Sequence, residues 1–322
     1  MSASVSETET KSVPVFDGNL PRPLRGIVPP MVTPMTARDT LDCAGLERLI
    51  EHMMAGGIHG LFILGTTGEG PSLSYRLRRE LIQRTCRQVA GRIPVLVGVT
   101  DTAFVESVDL ASYAAEAGAT AAVFSAPYYF PAGQPELLEY VTHLVKEMPL
   151  PVFLYNMPSL TKTTFGLELL AVAVQMPEIA GLKDSSGDIN YFRQAVAVAK
   201  SRPDFAVLMG PEEILTEAMT AGGHGGVCGG ANLRPRVLVG LYEALAAGDT
   251  ARAAELQADV IRQSDLLYHI GRHSSAIIKG IKCALSCLGI CDDFPAEPFN
   301  RFNPPERERV ERVLKELGLA RE

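Results

Sequence analysis

Lys183 sits in the run Ile179-Ala-Gly-Leu-Lys-Asp-Ser-Ser-Gly-Asp188. Small and apolar residues lead into a single lysine, and a polar turn follows. This is the pattern of a buried strand that delivers one amine to the edge of a pocket. Desolvation disfavours an ammonium, and a neutral amine attacks carbonyls. A lysine at a strand end whose head group simply reaches water would read the same over this run, so its neighbours decide. The pair Tyr155-Asn156 ends one further apolar run, and Gly65-Thr66-Thr67-Gly68-Glu69-Gly70 follows another. Pro127-Tyr128-Tyr129, Gly210-Pro211-Glu212-Glu213 and Gly229-Gly230 follow three more.

These types together fit Schiff-base chemistry on a 2-oxo acid. Lys183 would attack the keto carbon. The iminium then draws electrons, so the adjacent carbon can lose a proton or break a bond to an aldehyde fragment. Glycines around Thr66 and Thr67 free backbone N–H groups to seat a carboxylate near a helix start. Tyr155 would move protons. No external cofactor is required. Plainer roles stay open for each residue. Thr66 and Thr67 could only start a helix, the tyrosines could only pack, and Glu69 reads as a supporting or helix-start carboxylate. Glu212 and Glu213 could only favour a helix N-terminus.

The elements that must position these groups alternate along the chain. Strand-like runs cover 27–33, 60–64, 93–99, 120–124, 151–155, 179–183, 205–209 and 225–228. They show little in/out alternation, as expected of parallel strands covered on both faces. Amphipathic segments separate them: 41–55 after a candidate N-cap at Thr40, from Ser74 onward, 104–117, 135–148, 167–176, 189–200, 212–221 and 234–247. Gly56, Gly91 and Gly118 fall where helix C-caps belong. Eight strand–helix units predict an α/β fold, a (β/α)8 TIM barrel. An open doubly wound sheet would show a G-x-G-x-x-G turn after its first strand. Here that strand runs into Pro29-Pro30-Met31-Val32-Thr33-Pro34, which cannot make the turn. The expected organisation is a flexible arm over 1–24, a catalytic barrel over 25–248 and a C-terminal helical region over 249–322.

Net charge is −7 with a pI near 5.5, and no basic cluster stands out, which argues against a nucleic-acid partner. No apolar run approaches about 18 residues, so no membrane span is expected. The first two dozen residues lack the apolar stretch of a secretory signal. Cys283, Cys287 and Cys291 recur every four residues on one helical stripe, and read as small buried hydrophobes rather than metal ligands. The six histidines are scattered. No metal is expected, and a reducing cytoplasmic compartment suits the cysteines.

The chain resembles the dihydrodipicolinate synthase/N-acetylneuraminate lyase family of class I, lysine-dependent aldolases. The matching pieces are Gly65-Thr-Thr-Gly-Glu69, Pro127-Tyr-Tyr129, Tyr155-Asn-Met-Pro158, Gly181-Leu-Lys-Asp184 and the glycine segment Gly222–Asn232, in order over residues 25 to 300. The resemblance implies a TIM barrel with a C-terminal helical region, assembled as a homotetramer. It implies Lys183 as the Schiff-base lysine, Tyr155 as proton shuttle, and Thr66 and Thr67 on the pyruvate carboxylate. In the synthase branch Thr67 joins a relay with a tyrosine from a neighbouring subunit, and Tyr129 matches it. The backbone carbonyl of Val227 would lie near the bound 2-oxo acid.

One position separates the branches. Synthases place an arginine for the aldehyde's carboxylate where this chain has Leu160, and leucine makes no such contact. Lys162 stands two residues on as a possible substitute. Gly210, Glu212 and Glu213 resemble the sugar-hydroxyl segment of sialic acid lyases, but Gly229 stands where that branch has a serine. The expectation is a lyase that uses pyruvate and an aldehyde to make or split a hydroxylated 2-oxo acid. The alternatives are the synthase itself, a 2-keto-3-deoxy acid dehydratase, and a non-catalytic 2-oxo acid binder.

Overall fold

Parallel strands in this chain bury both faces, and that dictates how they close. In the computed structural model, which describes residues 19–319, ten strands are numbered in chain order. They are β1 (Gly26–Ile27), β2 (Met35–Ala37), β3 (Thr40–Leu41), β4 (Leu61–Ile63), β5 (Val95–Gly98), β6 (Ala121–Ser125), β7 (Val152–Asn156), β8 (Ile179–Asp184), β9 (Ala206–Met209) and β10 (Gly225–Gly226). Eight of them form one parallel sheet in the order β1-β10-β9-β8-β7-β6-β5-β4. Its two ends meet. His59 N–H donates to Ile27 C=O at 2.8 Å, Phe62 N–H to Pro29 C=O at 3.0 Å, and Met31 N–H to Phe62 C=O at 2.8 Å. The sheet is therefore a closed (β/α)8 barrel, as the alternation predicts.

Helices cover the outside: α1 (Cys43–Ala55), α2 (Tyr75–Val89), α3 (Phe104–Glu116), α4 (Gln134–Glu147), α5 (Pro158–Thr161), α6 (Leu167–Ala173), α7 (Ile189–Ala199), α8 (Leu215–Thr220) and α9 (Pro235–Ala247). Three more follow, α10 (Thr250–Leu267), α11 (Ala276–Cys287) and α12 (Pro304–Glu316). Two buried clusters result. One holds Val28, Phe62, Leu96, Val123, Phe153, Tyr155 and Leu208 inside the barrel. The other packs the outward strand residues against the helices. The two-residue period of a strand divides them.

Some local expectations are corrected. The first strand pairs regularly only at Gly26–Ile27, with a single bridge from Pro30 to Phe62. Pro29, Pro30 and Pro34 have no N–H to give a ladder. Thr40 does not cap α1. It lies in the unexpected β2–β3 hairpin, and Asp42 caps the helix by accepting from Gly45 N–H at 2.8 Å. Gly56 does cap α1, with an ordinary helical φ, but α2 and α3 are capped by Ala90 and Ala117, one residue before Gly91 and Gly118. The segment from 212 to 221 splits into a 3-10 turn, Glu212–Ile214, and α8. Of the arm expected over 1–24, residues 1–18 lie outside the described residues, and the remainder is not loose. Leu24 packs into the barrel interior, and Arg22 donates to Pro177 C=O at 2.9 Å.

Gly181 shows how tightly the interior is filled below Lys183. A Cβ there would lie 2.5 Å from Ala206 C=O oxygen and 2.6 Å from the Phe153 ring. Gly181→Ala is expected to lose roughly 1–3 kcal/mol through overpacking. Urea unfolding that gives the variant wild-type stability would contradict this account of the interior.

Candidate active site

Pairing between β7 and β8 sets Tyr155 beside Lys183 and Asn156 beside Asp184. Successive residues face opposite sides, so the first pair points inward and the second outward. Lys183 is 5% exposed, and its Nζ lies 3.8 Å from the centroid of the Tyr155 ring and 4.9 Å from that of Phe62. Aromatic faces on two sides hold the amine at the inner wall. The Tyr155 hydroxyl lies 3.1 Å from Thr66 Oγ1. Lys183, Tyr155 and Thr66, drawn from three separate strand ends, thus form one connected group.

The outward pair fixes the strand ends. Asn156 Nδ2 donates to Asp184 Oδ1 at 2.9 Å, and Asn156 Oδ1 accepts from Phe165 N–H at 3.1 Å. Asp184 also accepts from the N–H and hydroxyl of Ser186, each at 3.0 Å. Burial raises the Asp184 carboxyl above its usual range, and these hydrogen bonds oppose the shift. Sequence reasoning missed this pair, although each member directly follows a residue it singled out.

The loop carrying Thr66 and Thr67 is bounded by left-handed residues, Leu64 at φ 59° and Glu69 at φ 56°. Thr33 Oγ1 donates to Gly68 C=O at 2.7 Å and holds its middle. The loop runs into a 3-10 turn, Gly70–Ser72, and α2 starts only at Tyr75 with Ser74 as its cap. The expected helix N-terminus behind the threonines is therefore displaced by several residues.

A cavity of about 240 Å³ opens beside the group, with Thr66, Tyr155 and Phe62 on one side. Thr100, Ser125, Tyr128 and Arg78 bound it further out, and Met157 and Leu160 add apolar wall. Lys183 does not itself bound this space, but both rings it touches do. Ser125 Oγ meets Thr100 Oγ1 at 3.2 Å. Arg78 is buried, with Nη1 on Asp101 Oδ2 at 3.1 Å and Nε on Leu73 C=O at 3.0 Å. Burial, then the Asp101 charge, raises the Tyr128 phenol above its usual range, which keeps it a hydrogen-bond donor. Arg78, Thr100 and Ser125 carried no sequence signal, because only the barrel brings them together.

Of the remaining expected site residues, Leu160 bounds this cavity and the others do not. Tyr129, expected to serve a neighbouring subunit's site, is 83% exposed, and Tyr128 lines this chain's own cavity. Thr67 is half-buried and does not bound it. Val227 is buried in the interior cluster with Tyr155, its N–H on Met209 C=O at 2.7 Å. Gly210 N–H donates to Asp184 C=O at 2.7 Å, and a Cβ there would meet Ser185 Oγ at 2.0 Å. Leu160 is at the rim, half exposed. Lys162 is exposed and donates to Ser159 C=O at 2.7 Å, so it does not stand at the cavity in place of an arginine.

Glu212 and Glu213 turn toward α10 and do not bound the cavity. Glu212 Oε2 accepts from Gly230 N–H at 2.7 Å and Oε1 from the Tyr268 hydroxyl at 2.6 Å. Glu213 accepts from the Ser264 hydroxyl. The end of β9 is covered by α10 and by the 3-10 turn Gly229–Asn232, and these partners occupy the carboxylates. Burial, then the charge of Glu213, pushes the Glu212 carboxyl up to about 7.

The model of the dihydrodipicolinate synthetase family matches residues 23–317. The chain belongs to that family. Dihydrodipicolinate synthase from Bacteroides thetaiotaomicron has 50% identity and a TM-score of 0.89, over 92% of this chain and 99% of that one. A prophage family member from Escherichia coli K12, solved in complex with pyruvate, has 30% identity and a TM-score of 0.86, over 92% and 99%. A probable 2-dehydro-3-deoxy-D-pentonate aldolase from Escherichia coli K12 is 31% identical, over 91% of this chain and 97% of that one. The dihydrodipicolinate synthetase family fold is the barrel described above, and this member is an enzyme of the lyase type.

The raised Glu212 carboxyl makes stability pH-dependent in a definite direction. The unfolded group ionises near 4.5 and the folded one near 7, so between these values the folded state binds more protons. This group's contribution therefore falls as pH rises through that window. Glu212→Gln cannot ionise. Its stability relative to wild type is expected to rise from pH 4.5 to about 7 in urea unfolding, and a flat difference would contradict the assignment.

Proposed function

We propose that this enzyme forms a Schiff base between Lys183 and pyruvate, and joins it to, or releases it from, a hydroxylated aldehyde. The observation that carries this reading is the Lys183–Tyr155–Thr66 group at the inner wall of the barrel. The prophage relative's pyruvate complex supports the choice of 2-oxo acid. Lys183 Nζ adds to C2 of pyruvate, and the carbinolamine loses its hydroxyl as water with a proton passed through Tyr155. The iminium takes up the electron pair left when a C3 proton departs, giving an enamine. The enamine carbon attacks the aldehyde carbonyl, the new alkoxide takes a proton, and water hydrolyses the iminium to free the 2-oxo acid and Lys183. Cleavage is the same sequence reversed. Thr66, with the Thr67 backbone, would hold the pyruvate carboxylate.

Thr100, Ser125 and Tyr128 offer the outer cavity hydroxyls that suit a hydroxylated aldehyde. Leu160 at the rim favours a fragment without a carboxylate there. A second reading, dihydrodipicolinate synthase activity, is favoured by the 50% identity to the Bacteroides thetaiotaomicron protein. The absence of an arginine at position 160 and the outward turn of Lys162 weigh against it. In this proposal the barrel of 25–248 carries the chemistry and the helices from 249 support it. Tyr129 and Phe130, 83% and 82% exposed, would be covered by a neighbouring subunit of a homotetramer. The six free cysteines fit a cytoplasmic setting.

Borohydride reduction in the presence of pyruvate is expected to trap an adduct on Lys183, located by mass spectrometry, and Lys183→Ala to abolish it. An unmodified Lys183 would sink the Schiff-base reading. Tyr155→Phe is expected to lower kcat by about 10²–10⁴-fold while keeping the fold. A panel of 2-keto-3-deoxy sugar acids, N-acetylneuraminate and 4-hydroxy-2-oxoglutarate, set against aspartate semialdehyde, separates the two readings. Turnover confined to aspartate semialdehyde would replace the first by the second.

A further inference from the structure

We propose that Glu69 and Lys282 are positioning residues that hold the Thr66 loop in its working geometry, so that α11 forms part of the catalytic apparatus. Their side chains are 1% and 0% exposed, and Lys282 Nζ lies 2.6 Å from Glu69 Oε2. Glu69 Oε1 accepts from Ala296 N–H at 2.7 Å, and Lys282 Nζ also donates to Phe294 C=O at 2.7 Å. One carboxylate thus fastens the loop after β4 to α11 and to the segment that follows it.

Stability does not account for this pair. Two buried charges lose their hydration, and apolar replacements of similar volume are often neutral or stabilising. What the pair supplies is direction. A short charge-assisted hydrogen bond fixes where the Glu69 side chain, and so its backbone, must lie. The loop needs such a fixed point. Gly65, Gly68 and Gly70 run so close to Phe62, Met31 C=O and Leu64 C=O that a Cβ at any of them would lie within 3 Å, so the loop position is exacting, and Glu69 itself holds a left-handed φ of 56° that non-glycine residues seldom adopt. The constraint then passes to Thr66, because Glu69 N–H donates to Thr66 C=O at 3.0 Å and Gly70 N–H to Gly65 C=O at 3.2 Å. The Thr66 hydroxyl meets Tyr155, whose ring lies against Lys183. A continuous set of contacts therefore runs from α11 to the reactive amine. Each contact is a hydrogen bond or ring contact shorter than 4 Å.

The kinetic part of the test rests on the Schiff-base reading, and the exchange part does not. Glu69→Gln, Lys282→Met and the double variant E69Q/K282M are compared with wild type. Each single variant strands a buried partner and is expected to unfold more easily. The double variant is expected to regain much of that stability. At that regained stability, amides of residues 65–70 should exchange hydrogen faster than in wild type. Pyruvate trapping on Lys183 should need higher pyruvate, and kcat/KM should stay about 10²-fold below wild type, as for a misplaced reacting group. If loop exchange in the double variant matches wild type, or stability and kcat/KM recover together, the positioning role is overturned. If wild type itself forms no adduct with pyruvate, the Schiff-base reading fails, and the exchange comparison alone still decides the tether.

Discussion

The register between β7 and β8 is the constraint on which the site depends. Tyr155 opposes Lys183 and Asn156 opposes Asp184. Because side chains alternate, a slip of one residue would turn the tyrosine or the lysine out of the barrel. Three features hold the register. Phe153 fills the interior against Gly181, where no side chain fits. The ladder takes up an irregularity between Val152 and Phe153, below the reactive level. Asn156 and Asp184 then join across the outer face. The outward pair is committed to structure, which leaves the inward pair free for the proposed chemistry.

The same division of labour recurs around the mouth. Polar groups that would be costly to bury alone are matched in pairs around the mouth. Arg78 is neutralised by Asp101, and Glu212 is held by Tyr268 and the Gly230 N–H. Each pair anchors a loop that leaves a strand's C-terminal end. Thr66, Thr100, Ser125 and Tyr128 line the open space. Paired charges and lining hydroxyls suit a site that must orient a small polar substrate.

The C-terminal helices close the side of the barrel where its strands are weakest. β1 and β10 have only two ladder residues each, and Asn232 bridges their ends by donating to Pro30 C=O and accepting from Val32 N–H. Tyr268 of the α10 end covers the β9 exit through Glu212. These glycine- and proline-rich strands gain little from pairing, so contacts from outside the sheet hold them.

The order of elements was legible in the sequence because apolar runs covered on both faces and helical stripes follow fixed periods. Lys183, Tyr155 and Thr66 were legible too, since each ends a recognisable run and joins the observed group. The β2–β3 hairpin was not, because strands of three and two residues are too short to carry a period. Nor were the true partners of Glu69, Glu212 and Arg78. Glu69 and Lys282 are 213 positions apart, and no local period links them. Glu212 and Glu213 resembled a sugar-hydroxyl segment, yet residues of α10 and its end hold both. The sequence by itself therefore determined which strand ends carry reactive types, through short-range patterning. Only the tertiary structure decided which way each charged group turns, because that depends on which distant partner can satisfy it where water is excluded.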